Sequence, residues 1–274
     1  MDDLAALTWD ELLARAAPCM TLPDLERHTR YNAHHGKGGR FASGSRGGVR
    51  ASLMGASTTD EVSAVVASEA SAVMGHRVRV NMAGSDVQIA REHGEGILQG
   101  VERFPNSRLS QVDTYGPGGA RRTHVGDPDG DSIAMTTSGR YSKNEDTISF
   151  NTKYAGDPPL YQHTLSYSGK AGYLAVATPT GGALHEYGHV VTYHDNVADK
   201  AGSLAYSVAK SSPQHITTSN LVKREISGYA SSSDHEMVAE VFADVMVNGG
   251  QAAPLSQKIF DVIDADYQQN GARR

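Results

Sequence analysis

The chain has 274 residues, 39% hydrophobic and 20% charged, an ordinary composition for a globular protein of one large domain or two small ones. A net charge of −6 and a pI near 6.0 argue against nucleic acid as the main partner, and the single cysteine, Cys19, excludes an internal disulfide and thiolate metal ligation. Residues 1–20 carry Asp10, Glu11 and Arg15 where a secretory signal needs an apolar run, and no stretch approaches about 18 uninterrupted apolar residues, so neither a signal peptide nor a membrane span is evident.

Thr8-Trp9-Asp10-Glu11 reads as a capping box opening a short helix that Pro18 ends, docked through Leu4, Leu7, Leu12 and Leu13. Residues 1–26 are therefore expected to be an N-terminal helical segment. Residues 27–54 follow as a Gly/Arg-rich flexible linker, because between Arg27 and Arg50 six basic residues and many glycines stand with no acid. Its charge leaves room for a weak contact with an anionic partner, nucleic acid or protein. His34 and His35 are adjacent in this glycine-rich stretch and make a poor preorganised metal site. The run G-K-G-G-R-F-A-S-G is similar to linkers in tailed-phage head proteins.

A folded domain is expected over residues 55–274, starting near Thr58, where Thr58-Thr59-Asp60-Glu61 forms a second capping box and Val62, Val65, Val66, Val73 and Met74 give a helical stripe. Residues 76–82 alternate as a strand, with Val78, Val80 and Met82 on one face. Residues 85–104 read as a helix loosened at Gly94 and Gly96, with Ile97, Leu98 and Val101 inward and His93 as a structural histidine. A strand over 109–115 leads to a loop, 116–131, whose D-P-D-G-D lacks the glutamate that completes an EF-hand and so reads as a turn. Strands are expected over 132–137 and 146–154, the second with Ile148 and Phe150 on one face.

The stretch 181–195, G-G-A-L-H-E-Y-G-H-V-V-T-Y-H-D, contains H-E-x-x-H: His185, Glu186 and His189. Residues four apart share a helix face, so both imidazoles can reach one metal ion, while Glu186 on the same turn can take a proton from a metal-bound water. Flanking Ala183, Leu184, Val190 and Val191 suit a buried helix better than a surface one bearing two exposed histidines.

A catalytic zinc needs a third protein ligand. Asp195 stands where metzincins place theirs, but Thr192 occupies the position of the glycine that lets the chain turn back to the metal, and His194 shares the difficulty. The competing candidate lies in a helix from Ser233, where Glu236, Glu240 and Asp244 form a carboxylate row and Met237, Val238, Val241, Phe242, Val245 and Met246 the apolar stripe. Like charges at this spacing repel unless a cation lies beside them. Ser233 to Glu236 also reads as a capping box, which accounts for Glu236 alone and leaves the histidines without a partner, so ligation by Glu236 is favoured. Elsewhere, residues 198–212 read as a helix packed through Leu204, Tyr206 and Val208. Residues 213–227 read as a surface connection to Tyr229 in a mobile segment, and 255–267 as a closing helix through Ile259, Phe260 and Ile263.

These two segments together resemble the gluzincin metallopeptidases, most closely the catalytic domain of the anthrax lethal factor type, whose pattern is H-E-x-x-H followed by Y-A/G-x-x-x-x-x-E-x-x-A-E. Here 47 residues separate His189 from Glu236, and Tyr229 precedes Glu236 by 7. The resemblance covers residues 178–249. It implies an α+β zincin-type domain with a small twisted sheet, an H-E-x-x-H helix and a C-terminal glutamate-bearing helix. By the same resemblance His185, His189 and Glu236 hold Zn²⁺, Glu186 is the general base and Tyr229 donates to the oxyanion. Glu240 matches the partner of a ligating histidine, a role a zinc-bound imidazole ordinarily requires of some carboxylate or carbonyl. Asp244 takes no role.

The strand over 146–154 precedes the metal helix at the distance where zincins keep an edge strand that pairs with extended substrate. The implied activity is that of a zinc-dependent endopeptidase acting on a protein or peptide, cytoplasmic or virion-associated. The alternatives are a non-enzymatic structural or virion-associated protein retaining the fold, and a toxin-like phage effector.

Overall fold

The computed structural model describes residues 47–124, 126–127, 129–138, 146–193 and 196–270. The expected N-terminal helix, linker residues 27–46 with His34 and His35, and the alternative ligands His194 and Asp195 lie outside the described residues.

Helix α1, Gly47–Gly55, occupies the end of the stretch whose composition reads as linker. The reason is one side chain: Leu53 is fully buried, in a slot beside Gly94. Burying a leucine contributes roughly 2 kcal/mol, enough to help anchor a short glycine-rich turn of helix. Helix α2, Thr59–Met74, opens on the expected capping box, with Thr58 Oγ1 accepting from Glu61 N at 3.2 Å and Glu61 returning to Thr58 N. Val62, Val66 and Ala70 are its buried stripe, and Gly75, at φ 70°, closes it in the left-handed region.

Strand β1 is only Arg79–Val80, although Val78 and Met82 are both buried. The backbone N–H groups of those two flanking residues donate instead to Ser71 Oγ and Ser63 Oγ of α2, each at 2.9 Å, so the ladder stops between them. Helix α3, Val87–Arg103, is capped by Asp86 and runs unbroken through the glycines that were expected to loosen it. Gly94 and Gly96, and Gly100 after them, serve packing. A Cβ at Gly96 would lie 2.7 Å from Thr180 O, and one at Gly100 2.5 Å from the Tyr187 ring, so their absence allows a close helix crossing.

Strand β2, Leu109–Tyr115, has the expected bounds, followed by β3, Ala134–Thr137, and β4, Asp146–Asn151. The anticipated end of β4 is instead the short helix α4, Thr152–Ala155, because the Asn151 side chain accepts from Lys153 N and caps a turn there. The sheet order is β1-β2-β4-β3, with β1, β2 and β4 parallel and β3 antiparallel to β4. Strand β4 is thus interior, which corrects its expected place at the edge; among the described strands the edge on that side is β3.

Helix α5, Pro158–Lys170, capped by Asp157, was not anticipated. After it come α6, Pro179–Thr192, and α7, Val197–Ser211. The core contacts of α7 are Val197 and a row of alanines at 201, 205 and 209, whereas Tyr206, read as a contact, is 58% exposed. Helix α8, Thr218–Glu225, replaces the expected surface connection and buries Leu221 and Val222. Helix α9, Asp234–Asn248, and α10, Pro254–Asn270, complete the fold. The result is a mainly helical α+β arrangement around a small mixed sheet, and no described helix is long and apolar enough to cross a membrane.

Candidate metal centre

Helix α6 is opened by its own residues: Thr178 Oγ1 accepts from Gly181 N at 3.0 Å and Pro179 stands in the first turn. Midway along, Gly188 touches α9, where a Cβ would come within 2.9 Å of Phe242 Cβ and 3.1 Å of Ala239 Cα. This close crossing, flanked by His185 and His189 on one helix and Glu236 and Glu240 on the other, brings the two polar rows face to face.

His185 Nε2 lies 3.1 Å and His189 Nε2 3.3 Å from the same oxygen, Glu236 Oε2, and the three donor atoms all fall within 4.8 Å of one another. The imidazoles meet edge to face at 4.9 Å and 84°. Despite these short distances Glu236 Oε2 sits in no hydrogen-bond geometry with a donor. Each of the three residues thus places one potential metal-ligand atom in the same small cluster. Tetrahedral coordination with bonds of about 2.1 Å separates neighbouring ligands by about 3.4 Å, close to the two measured distances. The donor set and spacing fit a metal ion. The Glu236 side chain keeps 23% exposure, so the cluster reaches the surface.

The capping alternative for Glu236 is met only in its backbone: Ser233 Oγ accepts from Glu236 N at 3.1 Å, while the carboxylate turns to the histidines. Electrostatics follow from that placement. Burial pushes the Glu236 carboxyl upward, but His185 and His189 outweigh it and hold it well below the usual range. Burial lowers the His185 imidazole, and Glu236 and Glu240 reverse that and hold it well above its ordinary value.

Glu240 is 2% exposed and fully committed: Oε1 lies 2.8 Å from His185 Nδ1, and Oε2 accepts from Ala175 N at 2.6 Å and Ser227 Oγ at 2.8 Å. It fixes the His185 ring with Nε2 toward the cluster. His189 has no such anchor; its Nδ1 is buried without a hydrogen-bond partner, and its ring rests edge-on against Tyr193 at 5.8 Å. Asp244, the third member of the row, faces away from the cluster. It accepts from Asn248 Nδ2 at 2.7 Å and Ala253 N at 3.1 Å, fastening the turn into α10.

Glu186 is buried beside the ligands, and Thr136 Oγ1 of the edge strand β3 sits 2.7 Å from its Oε2 and 3.0 Å from its backbone oxygen. Tyr229 stacks over His185 at 5.5 Å and 15°. Its segment was read as mobile, yet Gly228 N and Tyr229 N donate to Gly172 O and Tyr173 O, each at 2.8 Å. Thr136 and Tyr173 are the residues that sequence reasoning missed. Nothing in spacing marks either, since each lies in a short segment some 50 residues from its partner. His93, read as structural, is buried in α3, stacked on Phe150 at 3.8 Å with Nε2 3.0 Å from Tyr161 Oη. No protein-family model, curated protein or solved structure matches this chain.

Proposed function

We propose that this protein is a zinc-dependent endopeptidase of the gluzincin kind. The observation that carries the reading is the convergence of His185 Nε2, His189 Nε2 and Glu236 Oε2, with Glu240 holding His185 from behind and Glu186 beside the cluster. Among the described residues three protein ligands gather rather than four, the mark of a site that reacts. Zinc held there would acidify a bound water and polarise a substrate carbonyl.

The chain's own residues do the rest. Thr136 occupies Oε2 of Glu186, leaving Oε1 to accept a proton from the attacking water and pass it to the leaving amine. The Tyr229 hydroxyl, on a ring packed against a ligand, serves as donor to the oxygen that gains charge. Strand β3 has only β4 beside it among the described strands and carries Thr136, so an extended peptide pairing with β3 would run past Glu186.

Substituting Glu186→Gln tests this directly. Peptide hydrolysis should fall by about 10²–10⁴-fold while zinc remains bound. Wild-type protein that holds zinc but cleaves no peptide would favour a non-enzymatic protein that retains the fold.

A further inference from the structure

His93 takes no part in the metal cluster, and one of its ring nitrogens is unpaired. The ring lies flat on Phe150 of β4, with Nε2 3.0 Å from Tyr161 Oη of α5, while Nδ1 is buried without a hydrogen-bond partner. Burial holds this imidazole down to about 3, so at neutral pH a single nitrogen carries the proton. A proton on Nδ1 would be a buried donor with nothing to receive it, a costlier orphan than a bare lone pair. The proton therefore sits on Nε2 and is donated to the Tyr161 oxygen. His93 is the hydroxyl's only hydrogen-bond partner among the described residues, so the Tyr161 O–H is left to donate elsewhere. It stands at a gap. Gly182 is partly exposed, and a Cβ built there would meet Tyr161 Oη at 3.5 Å and, among the described residues, no other atom from outside its own helix within 4 Å.

Gly182 precedes His185 by three residues and Glu186 by four, so the gap lies one turn along the face of α6 that carries both. Tyr161 belongs to an apolar cluster against which Ile133, the residue before β3, and Leu174 and Ala177, before α6, pack while partly buried. A peptide extended along β3 past Thr136 and Glu186 reaches this gap at the Ile133 end. Burial, then Glu186 and Glu92, hold the phenol well above its ordinary range, so it stays protonated, and the same carboxylates disfavour an anionic guest. We propose that Tyr161 is a substrate-binding residue whose hydroxyl, its oxygen held by His93, donates to a neutral carbonyl oxygen of the peptide in the gap over Gly182. The identity of the ligand as a peptide rests on the peptidase reading; the free donor does not.

The test has two parts, both on the full chain. Ring-nitrogen chemical shifts of His93 should place its proton on Nε2; a proton on Nδ1 would commit the Tyr161 hydroxyl to His93 and overturn the proposal. The zinc-loaded Glu186→Gln protein is then screened with a randomised fluorescent hexapeptide library, and the tightest peptide is titrated by anisotropy. Tyr161→Phe in that background removes the donor. Gly182→Ala fills the gap at an ordinary contact distance and with better helix propensity, so it blocks the subsite without weakening the fold. Affinity should fall about fivefold in each, the worth of one neutral hydrogen bond. Replacing each Asn or Gln of the peptide by Ala separates two sources of the oxygen: the Tyr161→Phe penalty persists for a main-chain carbonyl and vanishes for a side-chain amide. Unchanged affinity in Tyr161→Phe, or no hexapeptide captured without that substitution, would overturn the subsite. A fivefold loss with no zinc-dependent hydrolysis by wild type would uphold the subsite and remove the peptidase reading alone. Hydrolysis whose KM ignores Tyr161→Phe would do the reverse.

Discussion

The N-terminal and C-terminal halves of α9 carry the same pattern and do different things. Glu236, Glu240 and Asp244 follow one another at four-residue spacing, yet Glu236 meets two imidazoles, Glu240 bridges His185 to two backbone segments, and Asp244 staples the turn into α10. What separates them is the neighbour. Helix α6 crosses α9 at Gly188 and Ala239, so the first two carboxylates face histidines, and one turn later the partner is the protein's own turn. Like-charge repulsion along the row is relieved in each half by a different means: cation or proton at one end, hydrogen-bond donors at the other.

That contrast can be broken by substitution. Glu236→Ala removes a donor atom, and zinc affinity measured by competition with a chromophoric chelator should fall by more than about a hundredfold. Glu240→Ala leaves the three donors in place but frees the His185 ring, so affinity should fall by about 10–100-fold. Asp244→Ala should leave zinc affinity at the wild-type level. It strands the Ala253 N–H in a buried site, and urea unfolding should show a loss of about 1–3 kcal/mol. A large zinc effect from Asp244→Ala would erase the distinction between the two halves of α9.

A buried histidine away from the carboxylate row sharpens the same point. Burial holds the His93 imidazole down to about 3, whereas the carboxylates of α9 hold His185 up. Above pH 6.5 His93 is neutral in both folded and unfolded chains and contributes no pH dependence. As pH falls below that value the unfolded chain takes up a proton that the folded chain refuses, and stability is lost progressively until pH nears 3. In chelator, His93→Leu should flatten the stability slope between about pH 6 and 4 by about 1.4 kcal/mol per pH unit. An unchanged slope would show that another group controls it.

The helices that carry the histidines and the acids were legible because their signals are local. His185 and His189 share a face by helical period alone, Ser233 is a side-chain cap, and the four-residue interval of the acids places them on one stripe. The bounds of β2 followed likewise from its own residues. What stayed hidden depends on partners distant in the chain. Val78 and Met82 look like strand residues, and only the hydroxyls of Ser71 and Ser63 decide that they do not extend β1. The edge belongs to β3 and not β4 because of pairing order, which no single strand records. Gly94 and Gly96 read as weak points of a helix until their neighbours are known, Leu53 and Val66 for the first and Thr180 and Ala183 of α6 for the second. Helix α5 did leave a signal, Asp157 as cap and Pro158 behind it, but its weak apolar stripe gave the period little to show. Thr136 and Tyr173 left none.

The central claim is that His185, His189 and Glu236 form a metal centre, and metal content per chain tests it most directly. Wild-type protein equilibrated with zinc and then desalted should retain about one zinc per chain by elemental analysis, the stoichiometry of a single three-ligand site. Wild-type protein that retains no zinc after such reconstitution would contradict the account and leave the converged side chains as a proton-sharing cluster in a metal-free scaffold.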